Sequence, residues 1–431
     1  MDIYVVQTGD TIENIANSYG ISVNKLISDN ELTDPDHLVP GEVIVIVYPS
    51  QTYIVQPGDT LASIAASYNI SINELLRNNP VLSARNYIIP GETLTISYNR
   101  TDKVYTLGYT NTFIDRNTLR KTLPYLTYLS IFNYRTVTNG ELMGSSEDKD
   151  IIQMAKEYGV IPLMHISTLS VEGNVDLELT YQVLVNQEVQ DRLFENVIKV
   201  IKANGYYGVN ISAQFISTQN QSLFYDYTKN ISDRLRKEGF ISIITINPEV
   251  AMINNEISYK KIDYSQFTGL VDSFLFLQYK WGIDISPPSP VISVRNMNIF
   301  LDYAITQIEQ DKIFTGIPTL GYIWEHPLED GFFRSNSITV DSAINLARDV
   351  GAIIQFDEPS QTPYFLYVDT GNSNVQYIVW FVNAITINSV LKSLLEKGLS
   401  KIGIWNIMTY FPHLWLVINS QYKIVKFLPE F

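Results

Sequence analysis

The chain has 431 residues, 45% apolar and 12% aromatic, which excludes a disordered or fibrous protein and sets a prior of about three domains. Thirty Lys and Arg against 45 Asp and Glu leave a net charge of −15, which argues against nucleic acid as a partner. With no Cys and four scattered His, neither a disulfide framework nor a metal centre is expected, and no cofactor is implied. No apolar run approaches the roughly 18 residues of a membrane span, so no membrane insertion is expected. Met1-Asp2-Ile3-Tyr4 lacks the basic and apolar regions of a secretory signal, which predicts synthesis without one.

The first hundred residues contain an internal repeat. Tyr4-Val5-Val6-Gln7-Thr8-Gly9-Asp10-Thr11 returns as Tyr53-Ile54-Val55-Gln56-Pro57-Gly58-Asp59-Thr60, and Pro40-Gly41-Glu42 returns as Pro90-Gly91-Glu92. Each unit reads as strand, helix, helix, strand. Ile12, Ile15, Ala16 and Tyr19 fall at helical spacing. Gly20 and Asn69 suit the left-handed positions where such helices stop, and Ser71 with Glu74 predicts a capping box.

The start Q-x-G-D-T and the late P-G-E make each repeat resemble a LysM module, at 1–49 and 50–99. The resemblance implies binding of N-acetylglucosamine glycans, peptidoglycan or chitin. The implied groove lies between Gly9, Asp10, Thr11 and the region of Asn30 and Leu38 in the first module. In the second it lies between Gly58, Asp59, Thr60 and the region of Asn79 and Ile88. Taken residue by residue, the Gly-Asp-Thr positions also read as an ordinary turn and helix cap.

Residues 101–431 alternate strand and helix. Strand-like segments fall at 104–109, 126–134, 160–166, 208–215, 241–246, 274–279, 313–318 and 402–406, with helical patterns at 150–158, 189–202 and 298–308. Eight strands over this length predict an α/β (β/α)8 barrel, with a small α+β insertion at about 322–398 between strands seven and eight.

Chemistry in such a barrel sits at the C-terminal ends of the strands. Strand four reads Gly205-Tyr206-Tyr207-Gly208-Val209-Asn210-Ile211-Ser212-Ala213-Gln214-Phe215. With Leu107-Gly108-Tyr109, Ser130-Ile131-Phe132-Asn133-Tyr134, Gln278-Tyr279-Lys280-Trp281-Gly282, Gly316-Ile317-Pro318 and Ile404-Trp405-Asn406, it resembles the spore cortex-lytic N-acetylglucosaminidases, which carry a glycoside hydrolase family 18 barrel behind LysM modules. That family's strand four carries D-x-x-D-x-D-x-E. Its Glu is the general acid, and the preceding Asp orients the substrate acetamide, which itself attacks the anomeric carbon. The matching positions here are Tyr207, Asn210, Ser212 and Gln214, none of them a carboxylate. An amide cannot donate a proton as a carboxylic acid does.

The loss of these carboxylates predicts a non-catalytic, peptidoglycan- or chitin-binding pseudo-glycosidase, and the resemblance implies that it belongs to the bacterial spore envelope and is made in the mother-cell cytoplasm. Tyr109, Asn133, Gln214, Gln278, Tyr279 and Trp405 are its expected cleft residues. Two alternatives stand beside it. One is a structural or self-assembling spore-surface protein, suited by low charge and 28 Tyr. The other is an active N-acetylglucosaminidase whose acid has moved, with Glu249 after strand five and Asp284 after strand six as candidates.

Overall fold

The computed structural model describes residues 1–85, 87–168, 176–213, 216–248, 250–253, 256–277, 288–326, 335–369 and 375–429. The first repeat folds as strand Asp2–Val5, helices Ile12–Tyr19 and Val23–Asn30, and strand Val43–Ile46. The second folds as strand Gln51–Ile54, helices Leu61–Ser67 and Ile72–Asn78, a short 3-10 turn Pro80–Ala84 and strand Thr93–Ser97. In each repeat the two strands pair antiparallel. Thr11 and Thr60 start their helices by accepting from the backbone N–H of Asn14 (3.2 Å) and Ser63 (3.0 Å), the satisfaction of orphan donors that a cap provides. Gly20 (φ 65°) and Asn69 (φ 55°) take the left-handed conformation where the first helices stop. The expected capping box at Ser71 forms on one side only. Ser71 accepts from Glu74 N, but the Glu74 carboxylate turns to the Arg100 guanidinium at 2.7 Å, a stronger partner than a backbone N–H.

The barrel strands are Lys103–Asn111, Tyr128–Thr136, Ile161–Ser167, Gly208–Ser212, Ile241–Ile246, Ser273–Phe276, Ile313–Pro318 and Lys401–Trp405, numbered one to eight below. They pair in parallel in that order, and strand eight closes on strand one. Inside, Leu107, Tyr109, Ile161, Leu163, Ile243, Leu275, Leu277 and Phe314 are buried against one another, so the barrel is a packed plug beneath its mouth. The helix expected at 298–308 runs Val294–Ala304, because the Ser293 hydroxyl caps it by accepting from Asn296 N at 3.3 Å.

Between strands seven and eight lies a five-stranded antiparallel sheet: Leu320–His326, Ser335–Thr339, Gln355–Asp357, Thr362–Asp369 and Val375–Trp380, with helix Val340–Asp349. It ends earlier than the expected 398. Helix Ala384–Glu396, which that range included, follows the sheet before strand eight and buries Ile387, Val390, Leu391 and Leu394 in the main core, which also takes in Val340, Phe365 and Val379 of the insertion.

The two repeats join the barrel differently. Val39, Val43, Val45 and Val47 of the first belong to the same buried cluster as Val390, Leu394 and Trp415 of the barrel helices. The second keeps its own core of Val55, Ile64, Leu75, Leu94 and Ile96, as the first does around Ile12, Ile15, Ile44 and Ile46, and contributes Tyr98 to the main cluster. It is pinned through Arg100, which donates to Glu74, to Asn78 and to the Asn419 carbonyl (2.6 Å), while the Tyr125 hydroxyl donates to Arg77 O at 2.8 Å. Among the described residues, no helix is long and apolar enough to cross a membrane.

Candidate active site

Side chains on a strand alternate between faces, so Asn210 and Ser212 of strand four share the barrel interior. Asn210 is fully buried and stands in register with His165 of strand three. Its Nδ2 donates to the Tyr109 hydroxyl oxygen (2.8 Å) and to Ser130 Oγ (3.1 Å), and its Oδ1 accepts from Thr245 Oγ1 (2.6 Å). The single Thr245 hydroxyl proton is thereby committed, so the Tyr109 hydroxyl, 2.6 Å away, donates to Thr245. Asn210, Tyr109 and Thr245 close a ring of hydrogen bonds that needs no charge. Burial raises the Tyr109 pKa far above its ordinary value, holding the phenol neutral.

Above this ring lies an aromatic floor. Trp405, half-buried at the end of strand eight, meets Tyr109 edge-on at 5.1 Å and Phe132 at 5.3 Å between ring centroids. Phe132 stacks on His165 at 3.7 Å. His165 is completely buried with no hydrogen-bond partner for either ring nitrogen, and burial holds its pKa down to about 3. Sequence reading missed His165, Ser130 and Thr245. Their signal was a polar residue at an inward position of an otherwise apolar strand.

The other expected residues are distributed as follows. Ser212 is half-buried at the upper end of strand four, level with Thr245 of strand five. Tyr207 precedes that strand, 38% exposed beside the Lys156 ammonium, roughly 10 Å of strand away from Asn210 and off the cleft. Asn133 faces outward and is tied to the loop after strand two, donating to Ser145 O at 2.6 Å and accepting from Ser145 N at 3.2 Å. Gln214, Gln278, Tyr279, Glu249 and Asp284 lie outside the described residues. Among the described residues, no group of three or more His, Asp or Glu is placed to hold a metal.

In the repeats, Asp10 Oδ2 accepts from Tyr4 Oη and Gln7 N, both at 2.7 Å, and Asp59 does the same with Tyr53 Oη (2.8 Å) and Gln56 N (2.7 Å). Each carboxylate braces its own turn, leaving exposed Gly9, Thr11, Gly58 and Thr60 on the surface. Asn30 and Asn79 are buried. Asn30 donates to Leu26 O and Val45 O and accepts from Val45 N, and Asn79 repeats the pattern with Leu75 and Thr95. Both amides pin the second helix to the last strand. Leu38 and Ile88 are half-buried at the edge of the expected groove.

Residues 4–47 and 53–97 match the LysM domain, and residues 109–409 match the glycosyl hydrolases family 18. The cortical fragment-lytic enzyme of Bacillus subtilis is 30% identical over 431 residues, 99% of both chains. That of Bacillus anthracis is 29% identical over 436 residues, again 99% of both. Among solved structures, the spore cortex-lytic enzyme SleL of Bacillus cereus superposes with a TM-score of 0.78 at 26% identity over 99% of both chains. SleL of Bacillus megaterium superposes at 0.79 and 27% over 98% of both. These comparisons overturn the expectation of a non-catalytic pseudo-glycosidase, since these relatives, which match the chain end to end, are named as lytic enzymes. They favour the alternative in which catalysis is kept. The LysM and family 18 matches also imply a peptidoglycan- or chitin-type glycan as ligand.

Proposed function

Since the chain belongs to the glycosyl hydrolases family 18, we propose that it is a spore-associated peptidoglycan glycosidase that cleaves beside N-acetylglucosamine with an acid supplied from outside strand four. The observation that carries this reading is the likeness to cortical fragment-lytic enzymes over 99% of both chains. The barrel mouth supports it. Half-buried Trp405 and Phe132 offer ring faces and edges on which a pyranose can stack, above buried Tyr109 and a hydrogen-bonding ring without charge. In substrate-assisted hydrolysis the acetamide oxygen attacks the anomeric carbon, and the protein must protonate the departing oxygen. Asn210 and Ser212 cannot do so. Glu249 is the favoured donor by chain reach. It stands three residues beyond Ile246, the end of strand five, and three residues span at most about 10 Å. Strand five is paired with strand four at Thr245 and Ser212, so the chain leaves it beside the cleft. Asp284 stands eight residues beyond the end of strand six, a looser tether.

The test is reducing-end release from purified cortex fragments. The parent chain is expected to turn over, Glu249→Gln to lose about 10²–10⁴-fold in kcat, and Asp284→Asn to stay near the parent. No turnover above a heat-killed control would overturn the proposal. Loss confined to Asp284→Asn would move the acid to the strand-six loop.

A further inference from the structure

A cavity with an empty volume of about 450 Å³ lies in the seam where the first repeat meets the barrel. It has three walls. The repeat supplies Glu31, Asp34 and Glu42, helix Val340–Asp349 of the insertion supplies Asp341 and Arg348, and the first turn of helix Pro412–Gln421 supplies His413. None of Gly9, Asp10 and Thr11 lines it, and two of its three walls belong to the barrel. Beside Glu42 the seam is shut. Ile354 N donates to Pro40 O at 2.9 Å, and a Cβ added at Gly41 would stand 1.9 Å from Ile354 O. The cavity is therefore a local gap in a tight contact.

The two repeats together show what the gap lacks. Glu42 and Glu92 are equivalent, and each accepts from the backbone N–H three residues earlier, Val39 at 3.0 Å and Ile89 at 3.3 Å. Half-buried Glu92 is also ion-paired with Arg85. Glu42 is only 5% exposed, and the segment 31–41 before it contains no Lys or Arg. The cations nearby are committed elsewhere. Arg348 donates to His37 O (2.8 Å) and Asn345 Oδ1 (2.6 Å) and stands 3.9 Å from Asp34, while Lys121 is paired with Glu31. The more deeply buried of the two carboxylates is thus the one left without a counter-ion among the described residues, although it loses more hydration and needs one more. Burial pushes the Glu42 carboxyl pKa up, and Asp341 and Asp34 push the same way. A second group on the wall is also unsatisfied. Both ring nitrogens of His413, 5% exposed, are without a hydrogen-bond partner, and burial holds its pKa down to about 4, so the neutral ring keeps a nitrogen able to accept.

We propose that the seam is a binding site for a primary ammonium group, which donates to the Glu42 carboxylate and the His413 ring, with exposed Asp341 at the rim. An ammonium brings three donors to these acceptors, and the positive charge that Glu92 finds in Arg85. A metal ion suits the cavity less, because among the described residues no group of three or more His, Asp or Glu is placed to hold one. Primary amino groups are carried by small free amines and by the peptides attached to a peptidoglycan strand. The second source rests on the peptidoglycan reading above, whereas the ammonium chemistry does not.

The test is NMR titration of the full chain at pH 7.5 with butylamine and with its uncharged analogue N-butylacetamide. Saturable binding of butylamine and none of the amide is expected. Glu42→Gln and Asp341→Asn should each weaken butylamine binding, the first by about tenfold or more. Melting curves should show both folded, with Glu42→Gln at or above the parent because it removes a buried charge without a counter-ion. The two sources are separated by co-sedimentation with insoluble peptidoglycan, native and with its amino groups acetylated. Weaker sedimentation on acetylation, in the parent but not in Glu42→Gln, supports the wall peptide as the source. Equal sedimentation on both supports a free amine. No butylamine binding, equal binding of the amide, or unchanged affinity in both variants would overturn the proposal. The titration needs no turnover, so its failure is distinct from that of the glycosidase proposal, which reducing-end release reads.

Discussion

The two ring nitrogens of His165 are sealed under Phe132 without a hydrogen-bond partner. The unfolded ring titrates near 6.5 and the folded ring near 3, so between those values the unfolded chain binds a proton that the folded chain refuses. This contribution to stability is therefore complete above pH 6.5 and falls as the pH drops, by roughly 1.4 kcal/mol per unit. His413, buried with a pKa held down to about 4, adds a slope of the same sign. Urea unfolding of the parent and His165→Leu at pH 7.5 and pH 5 should show the variant gaining on the parent at pH 5 by on the order of 2 kcal/mol. Parallel pH dependences would mean that the ring finds a proton acceptor. The same scale explains Asn30 and Asn79. An Asn in a turn region reads equally well as a ligand contact or as an internal pin, and only the position of Val45 and Thr95 opposite makes it a pin.

A strand reports its surroundings through its alternation, and the last strands of the two repeats make a paired experiment. Val43 is 2% exposed in the barrel core, whereas Thr93 at the same place is exposed. Val43→Thr puts a hydroxyl into an apolar contact and should cost about 1–3 kcal/mol. The reverse change Thr93→Val exchanges a surface hydroxyl for a methyl and should stay within about 0.5 kcal/mol. Chemical denaturation of both variants checks this, and equal effects would show that the first repeat is not buried against the barrel in solution. The apolar run Val43-Ile44-Val45-Ile46-Val47 was legible as a strand covered on both faces. What covered the second face was not, because the partner side chains lie more than three hundred residues away.

For the whole molecule, the buried valines of the first repeat are each worth roughly 1.5–3 kcal/mol. A chain starting at residue 50 exposes the barrel surface they covered. It should melt more than about 10 °C below the parent or aggregate, and the parent should unfold with the first repeat and barrel in one calorimetric transition. An early, separate transition for residues 1–49 with an undisturbed barrel would contradict this. Tandem repeats invite the picture of two equal anchors on a linker. The packing of Val39 and Gly41 of the first repeat, and of Tyr98, Arg77 and Asn78 of the second, against the barrel replaces it with one body.

Local pattern determined the two βααβ repeats, the eight barrel strands, the insertion, and the absence of a carboxylate at Tyr207, Asn210, Ser212 and Gln214. It could do so because turns, caps and strand alternation are set by residues a few positions apart. The expected loss of activity did not follow from that absence, since an acid is defined by where its proton can reach and not by which strand bears it. The neutral ring of Asn210, Tyr109 and Thr245 was decided by three strands meeting, and the unlike repeats by pairings such as Ile354 with Pro40 and Asn419 with Arg77. Such contacts join residues that no sequence window contains, and burial, which decides whether a polar group is a pin or a ligand, exists only once they form.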